Sequence, residues 1–148
     1  MKIRQYLSFT ALLVIAVVVA SPVRAGAGLP SEDERDILII STLLRFNDAN
    51  LSGDYSVLRA RASRPFREQN SEKVLADAFK VFRDQGIDLA EVAIREINPD
   101  ENGETEHGGV VRLSGYMDLS AFRLAYVLRF FNDGSAWELL SINVDVKS

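Results

Sequence analysis

Residues 122–146 read Phe-Arg-Leu-Ala-Tyr-Val-Leu-Arg-Phe-Phe-Asn-Asp-Gly-Ser-Ala-Trp-Glu-Leu-Leu-Ser-Ile-Asn-Val-Asp-Val, and this stretch decides the fold. Phe122, Leu124, Tyr126, Leu128 and Phe130 recur with period two, which puts them on one face of a strand from Phe122 to Phe131. Asn132-Asp133-Gly134-Ser135 supplies the residues of a hairpin connection. The return strand, Ala136 to Val146, changes phase midway. Trp137 and Leu139 lie in one phase, and Ile142, Val144 and Val146 in the other. A bulge near Leu140-Ser141 reconciles them and curves the sheet. Upstream, Val110 to Asp118 reads as a second strand of this antiparallel meander and Glu91 to Ile97 as the first. Pro99 to Gly109, between those two, reads as an acidic, glycine-containing loop.

Before Ile87 the period is helical. Ser31-Glu32-Asp33-Glu34 has the form of a capping box, with three acids at the positive end of the helix that follows. That helix runs from Glu32 to about Asn50, with a stripe of Ile37, Ile40, Leu43, Leu44 and Asn47 or Leu51. Leu38, Ile39 and Phe46 widen the apolar arc. Ser52-Gly53-Asp54 ends it, and Asp54 caps a short helix from Tyr55 to about Ala62 whose buried side is Tyr55, Leu58 and Ala62. Ser63 to Phe66 reads as a turn. Ser71 caps a third helix through about Gln85, with Val74, Leu75, Ala78, Phe79 and Phe82 inward and Gly86 at its end. Three helices followed by a bent sheet of roughly four antiparallel strands make an α+β domain, the helices covering the concave face.

The chain opens with Lys2 and Arg4, an apolar run from Tyr6 to Ala20, a Ser21-Pro22 break and Val23-Arg24-Ala25. This is the pattern of a secretory signal peptide over residues 1–25, cleaved after Ala25. The alternative is an uncleaved anchor, yet an apolar run of about 15 residues is short where a bilayer takes about 20. A lipid-anchored form would need a cysteine at the cleavage site, and the chain has none. Residues 26–30 read as a flexible lead and 31–148 as one domain. The expected location is periplasmic or secreted, without stable membrane insertion after cleavage.

Of the 17 basic and 21 acidic side chains, residues 1–25 hold three bases (Lys2, Arg4, Arg24) and no acid, so the remainder carries 14 against 21, formally −7. That balance speaks against nucleic acid as a partner. Without cysteine there is no disulfide, thiol nucleophile or thiolate metal site.

Several segments together resemble the nuclear transport factor 2-like superfamily, the cone-shaped fold shared with ketosteroid isomerases. They are Leu51-Ser-Gly-Asp-Tyr55, Phe66-Arg67, Ala78-Phe-Lys-Val-Phe-Arg83 and, above all, Phe130-Phe-Asn-Asp-Gly-Ser-Ala-Trp137-Glu-Leu139. The resemblance covers essentially all of 31–148. It implies a cone whose interior takes a ligand or carries one buried carboxylate, histidine or tyrosine, and homodimerisation through the outer sheet face. Val127 and Phe131, in the phase opposite Tyr126, are the residues expected at that face. The chain departs from the pattern in lacking an early hairpin, so the sheet and its cavity are expected to be reduced.

Candidate chemistry is sparse. His107, the one histidine, falls in the acidic loop and reads as a solvated residue. Asp100, Asn102 and Glu104 do not make a calcium loop, because Gly103 stands at the fourth position and Val111 replaces the bidentate glutamate. No metal site and no cofactor is expected. Asn50-Leu51-Ser52 matches a glycosylation sequon but lies at a helix end, and no serine sits in a nucleophile elbow. Tyr116, Asp118 and Tyr126 are the catalytic candidates on the sheet. Tyr126 also reads as a core tyrosine satisfied at the rim, and Asp118 as a turn or cap residue. Arg59, Arg61, Arg64 and Arg67 form the one basic cluster, read as pairing with nearby acids or as a rim for an anionic ligand or acidic partner.

The leading expectation is a non-catalytic exported domain. It binds a small hydrophobic molecule or an envelope protein through the concave sheet face, at Leu124, Tyr126, Leu128 and Phe130. The alternatives are an isomerase- or dehydratase-type enzyme using a buried Tyr/Asp pair, and an assembly component of an envelope complex.

Overall fold

The computed structural model describes residues 28–132 and 134–147. The expected signal peptide, its cleavage site and the first part of the flexible lead lie outside the described residues. Among the described residues, five α-helices precede a four-stranded antiparallel sheet: α1 (Glu32–Ser52), α2 (Ser56–Ala60), α3 (Arg64–Gln69), α4 (Glu72–Ala78), α5 (Lys80–Asp84), then β1 (Asn98–His107), β2 (Val110–Asp118), β3 (Arg123–Asn132) and β4 (Trp137–Lys147). The strands follow one another across the sheet as β1-β2-β3-β4, and the sheet is not closed into a barrel. The α+β class therefore holds, while the expected count of three helices is corrected to five.

Helix α1 begins as its sequence requires. Ser31 accepts from the Glu34 N–H, and the Glu34 carboxylate accepts from the Ser31 N–H at 2.9 Å, which holds that carboxyl below its ordinary range. Gly53, at φ 75°, closes the other end. The buried stripe is Ile39, Leu43, Phe46, Asn47 and Asn50, rotated from the expected one, so that Ile37 and Leu51 are exposed. Two polar residues inside that stripe explain the rotation. The Asn47 amide donates to Asp88 and its carbonyl accepts from the Leu89 N–H at 2.8 Å, while Asn50 accepts from the Tyr55 hydroxyl at 2.5 Å. Asn47 anchors a segment some forty residues on and Asn50 the start of α2, which apolar periodicity does not register.

Asp54 accepts from the Ser56 N–H at 2.9 Å, and Tyr55, Leu58 and Ala62 are buried together as expected. The expected turn at Ser63–Phe66 is instead the start of α3, with Ser63 accepting from the Phe66 N–H and Pro65 in the first turn. The expected single helix to Gln85 breaks at Phe79 into α4 and α5. The break turns Leu75 and Phe82 inward and leaves Val74 and Ala78 exposed. Phe79 and Phe82 meet Phe46 edge-on at 4.6 and 5.2 Å.

The first strand is the largest correction. Ala90–Ile94 is a 3-10 turn held by Asp88 and Asn47; it buries only Val92 and leaves Ile94 exposed. The segment expected to be an acidic loop is β1 itself. An edge strand needs few buried side chains, and charges and proline there guard against unwanted pairing. β1 pairs at Asn98–Pro99 with Tyr116–Gly115, then at Glu104–His107 with Leu113–Val110, so Asp100–Gly103 arches out opposite Ser114 alone.

The other three strands agree with expectation to within a residue. The register of β3 on β4 shifts between Arg129 and Phe130, which pair with Ser141 and Leu139, so Leu140 is the extra residue of the expected bulge. Backbone bonds from Ser63 to Leu139 and from Leu139 to Arg61 seat the 61–63 segment on the start of β4. Leu124, Tyr126, Leu128 and Phe130 are fully buried and share one core with α1, α2 and β2.

Candidate functional site

The inward residues of β3 fill the space between the layers, with a cleft beside Tyr126 and another beside Phe130. Leu124 and Leu128 have no exposed surface. Tyr126 reaches a cleft of about 340 Å³ between α1 and the arch of β1. Phe130 reaches a second, smaller cleft beside Trp137.

Two glycines shape the first cleft. A Cβ on Gly115 would overlap the Asn98 carbonyl and stand 2.8 Å from the Tyr126 hydroxyl, and one on Gly103 would stand 2.5 Å from the Ser114 carbonyl. β1 can therefore lie flush on β2, with the phenol tucked beneath it. Its apolar walls are Ile39 and Ile40 of α1, Ile97, Pro99 and Leu113, and Glu32, Asp36, Arg95 and Glu96 add charge around them. Arg35, joined to Glu104 by an ion pair, bridges α1 to β1 at the rim.

Two polar atoms in this cleft lack hydrogen-bond partners among the described residues. Tyr126 is 2 % exposed, and its hydroxyl makes no hydrogen bond among the described residues. Burial pushes the phenol well above the ordinary tyrosine range, and the negative charges of Asp100 and Asp36 push the same way. It is therefore a donor at neutral pH and not a base. Arg35 likewise keeps its Nε–H buried and unpaired.

The three catalytic candidates do not converge. Gly115 pairs with Tyr126 and Tyr116 with Ala125, so alternation puts Tyr116 and Asp118 on the outer face, opposite Tyr126. Arg123 grips Asp118 with both arms, at 2.6 and 3.0 Å, and lies 4.0 Å above the Tyr116 ring. Hydrogen bonding to that guanidinium lowers the Asp118 carboxyl from its ordinary value. A cross-strand clamp results, with the carboxylate already committed. His107 is exposed at the end of β1, and Glu104 is taken by Arg35.

Sequence reasoning did not find Arg35, Gly103, Ser114 or Gly115. An isolated glycine inside a strand pattern signals a bulge or a close backbone approach, and Gly115 carried that signal. Nothing local marked Arg35. No family model, no curated protein and no solved structure matches this chain.

Proposed function

We propose that the domain is a binding module for a small, largely apolar molecule, seated between α1 and the β1 arch and oriented by the Tyr126 hydroxyl. One observation carries this reading: the Tyr126 phenol, without a hydrogen-bond partner among the described residues, brings its O–H to a cleft whose apolar floor of Ile39, Ile40, Ile97, Pro99 and Leu113 is rimmed by charged side chains such as Arg35, Asp36 and Glu104. A ligand oxygen in the cleft would accept from that O–H. Pockets that hold small molecules combine mostly apolar walls with a few such polar groups. The order of helices and bulged meander supports placing the chain in the cone-shaped nuclear transport factor 2-like superfamily. The N-terminal pattern supports export and processing after Ala25.

The test is native mass spectrometry of the protein purified gently from its own cells. A retained small-molecule mass is expected, and Tyr126→Phe should loosen its hold about tenfold, the value of one hydrogen bond. A bare polypeptide mass, or equal retention by the phenylalanine variant, would overturn the role given to Tyr126. The same spectra report the mature N-terminus, expected at Gly26.

Homodimerisation through the outer sheet face belongs to the same proposal. Phe131 is 37 % exposed there, so Phe131→Asp should leave the far-ultraviolet circular dichroism unchanged and convert dimer to monomer in light scattering. Collapse of the fold would show that Phe131 had been put on the wrong face.

A further inference from the structure

The arginines of the basic cluster divide unevenly. Arg59 pairs with Glu72 and donates to the Arg67 carbonyl, Arg64 pairs with Glu68, and Arg67 donates to the Ala62 carbonyl. Arg61 makes neither an ion pair nor a side-chain hydrogen bond among the described residues. The strand-like contact of 61–63 with Leu139 holds it instead at the second cleft, where it faces Arg45 of α1. Among the described residues Arg45 has a single hydrogen-bond partner, the Ser41 hydroxyl at 3.3 Å.

Two guanidinium groups thus share a cleft of about 200 Å³ whose lining contains no carboxylate, in a chain where acids outnumber bases. Partial burial lowers the Arg45 pKa from its ordinary value, and repulsion from Arg61 adds to the effect. Thr42, 4 % exposed, lines the same cleft, and its hydroxyl has no hydrogen-bond partner among the described residues. Ser41 accepts from Arg45, which leaves its own O–H free to donate. Trp137, Leu58, Phe130 and Leu139 form the apolar remainder.

We infer that this second cleft is a binding site for a small carboxylate with an apolar tail. The carboxylate sits between Arg45 and Arg61 and accepts from Thr42 and Ser41, while the tail lies on Trp137 and Leu58. The arginine fork matches the two oxygens of a carboxylate, and the ligand's charge removes the repulsion between the two cations. The space is below the usual range for drug-sized ligands, which favours a short chain. This inference does not rest on the Tyr126 cleft.

Trp137 is the only tryptophan, so its emission reports on this site directly. The full-length protein is titrated with hexanoate, hexanol, inorganic phosphate and an acidic peptide. Hexanoate is expected to give a saturable change that hexanol does not, weakened about tenfold or more by Arg61→Ala or Arg45→Gln, as loss of one charge-assisted hydrogen bond requires. Arg61 is exposed and unpaired, so its variant tests binding without disturbing the fold; circular dichroism confirms that it is folded. Equal responses to hexanol and hexanoate would overturn the inference, as would a response to phosphate or to the acidic peptide alone. No response, or a hexanoate response unchanged in folded Arg61→Ala, would overturn it too.

Discussion

Phe46→Ala is expected to lower stability by about 3–5 kcal/mol, roughly a fifth or more of what a single domain commonly has. Phe46 has no exposed surface, and its ring is the shared partner of Phe79 and Phe82. Those two residues attach α4 and α5, short helices that could not persist alone in water. A second tie runs through Tyr55, which stacks on Phe79 and whose oxygen accepts from Arg83 at 2.6 Å. Deleting the ring leaves a cavity that neither side can close without breaking that second tie. Equilibrium urea unfolding, followed by far-ultraviolet circular dichroism, should show the midpoint falling sharply with little change in slope. A loss below about 1 kcal/mol would mean that the aromatic cluster is not what fastens these helices.

Gly115→Ala acts in the sheet, where β1 crosses β2. The added methyl overlaps the Asn98 carbonyl and crowds the Tyr126 hydroxyl and the Pro99 Cα. Overpacking costs about 1–3 kcal/mol, and the upper end is expected because two of the three atoms are backbone and cannot rotate away. The effect should be local. Amide exchange is expected to quicken at Asn98 and across the arch, while β3 and β4 keep their protection. If β1 stays protected, the sheet has more room at this crossing than the packing implies.

The parts of the fold that could be read from sequence are those where neighbouring residues carry the signal. The capping box at Ser31, the two phases of 137–146 and the extra residue between them are all local patterns, and all three appear in the structure. Failures occurred where a distant partner decides. Glu91–Ile97 alternates like a strand, but Asn47, some forty residues earlier, holds the N–H of Leu89 and helps make a tight turn. Asn98–His107 looks like a loop because an edge strand buries little, so hydrophobic patterning has nothing to report. The sites divide in the same way. The phase of β3 located Tyr126 and Phe130, each at one of the two openings, whereas Arg45 and Arg61 belong to separate helical segments and meet only because β4 captures residues 61–63.

The arch at Asp100–Gly103 separates two properties that most β-sheets keep coupled. Pairing of β1 resumes at Glu104 whatever the path between, because each half of the strand is anchored to β2 on its own. Residues can be gained or lost in the arch without a frame shift that would turn every later side chain to the wrong face. The width of the neighbouring cleft can therefore drift during evolution while the hydrophobic core stays under its own selection. In a library that varies the length of this one segment, the size of the cleft should change long before foldability does.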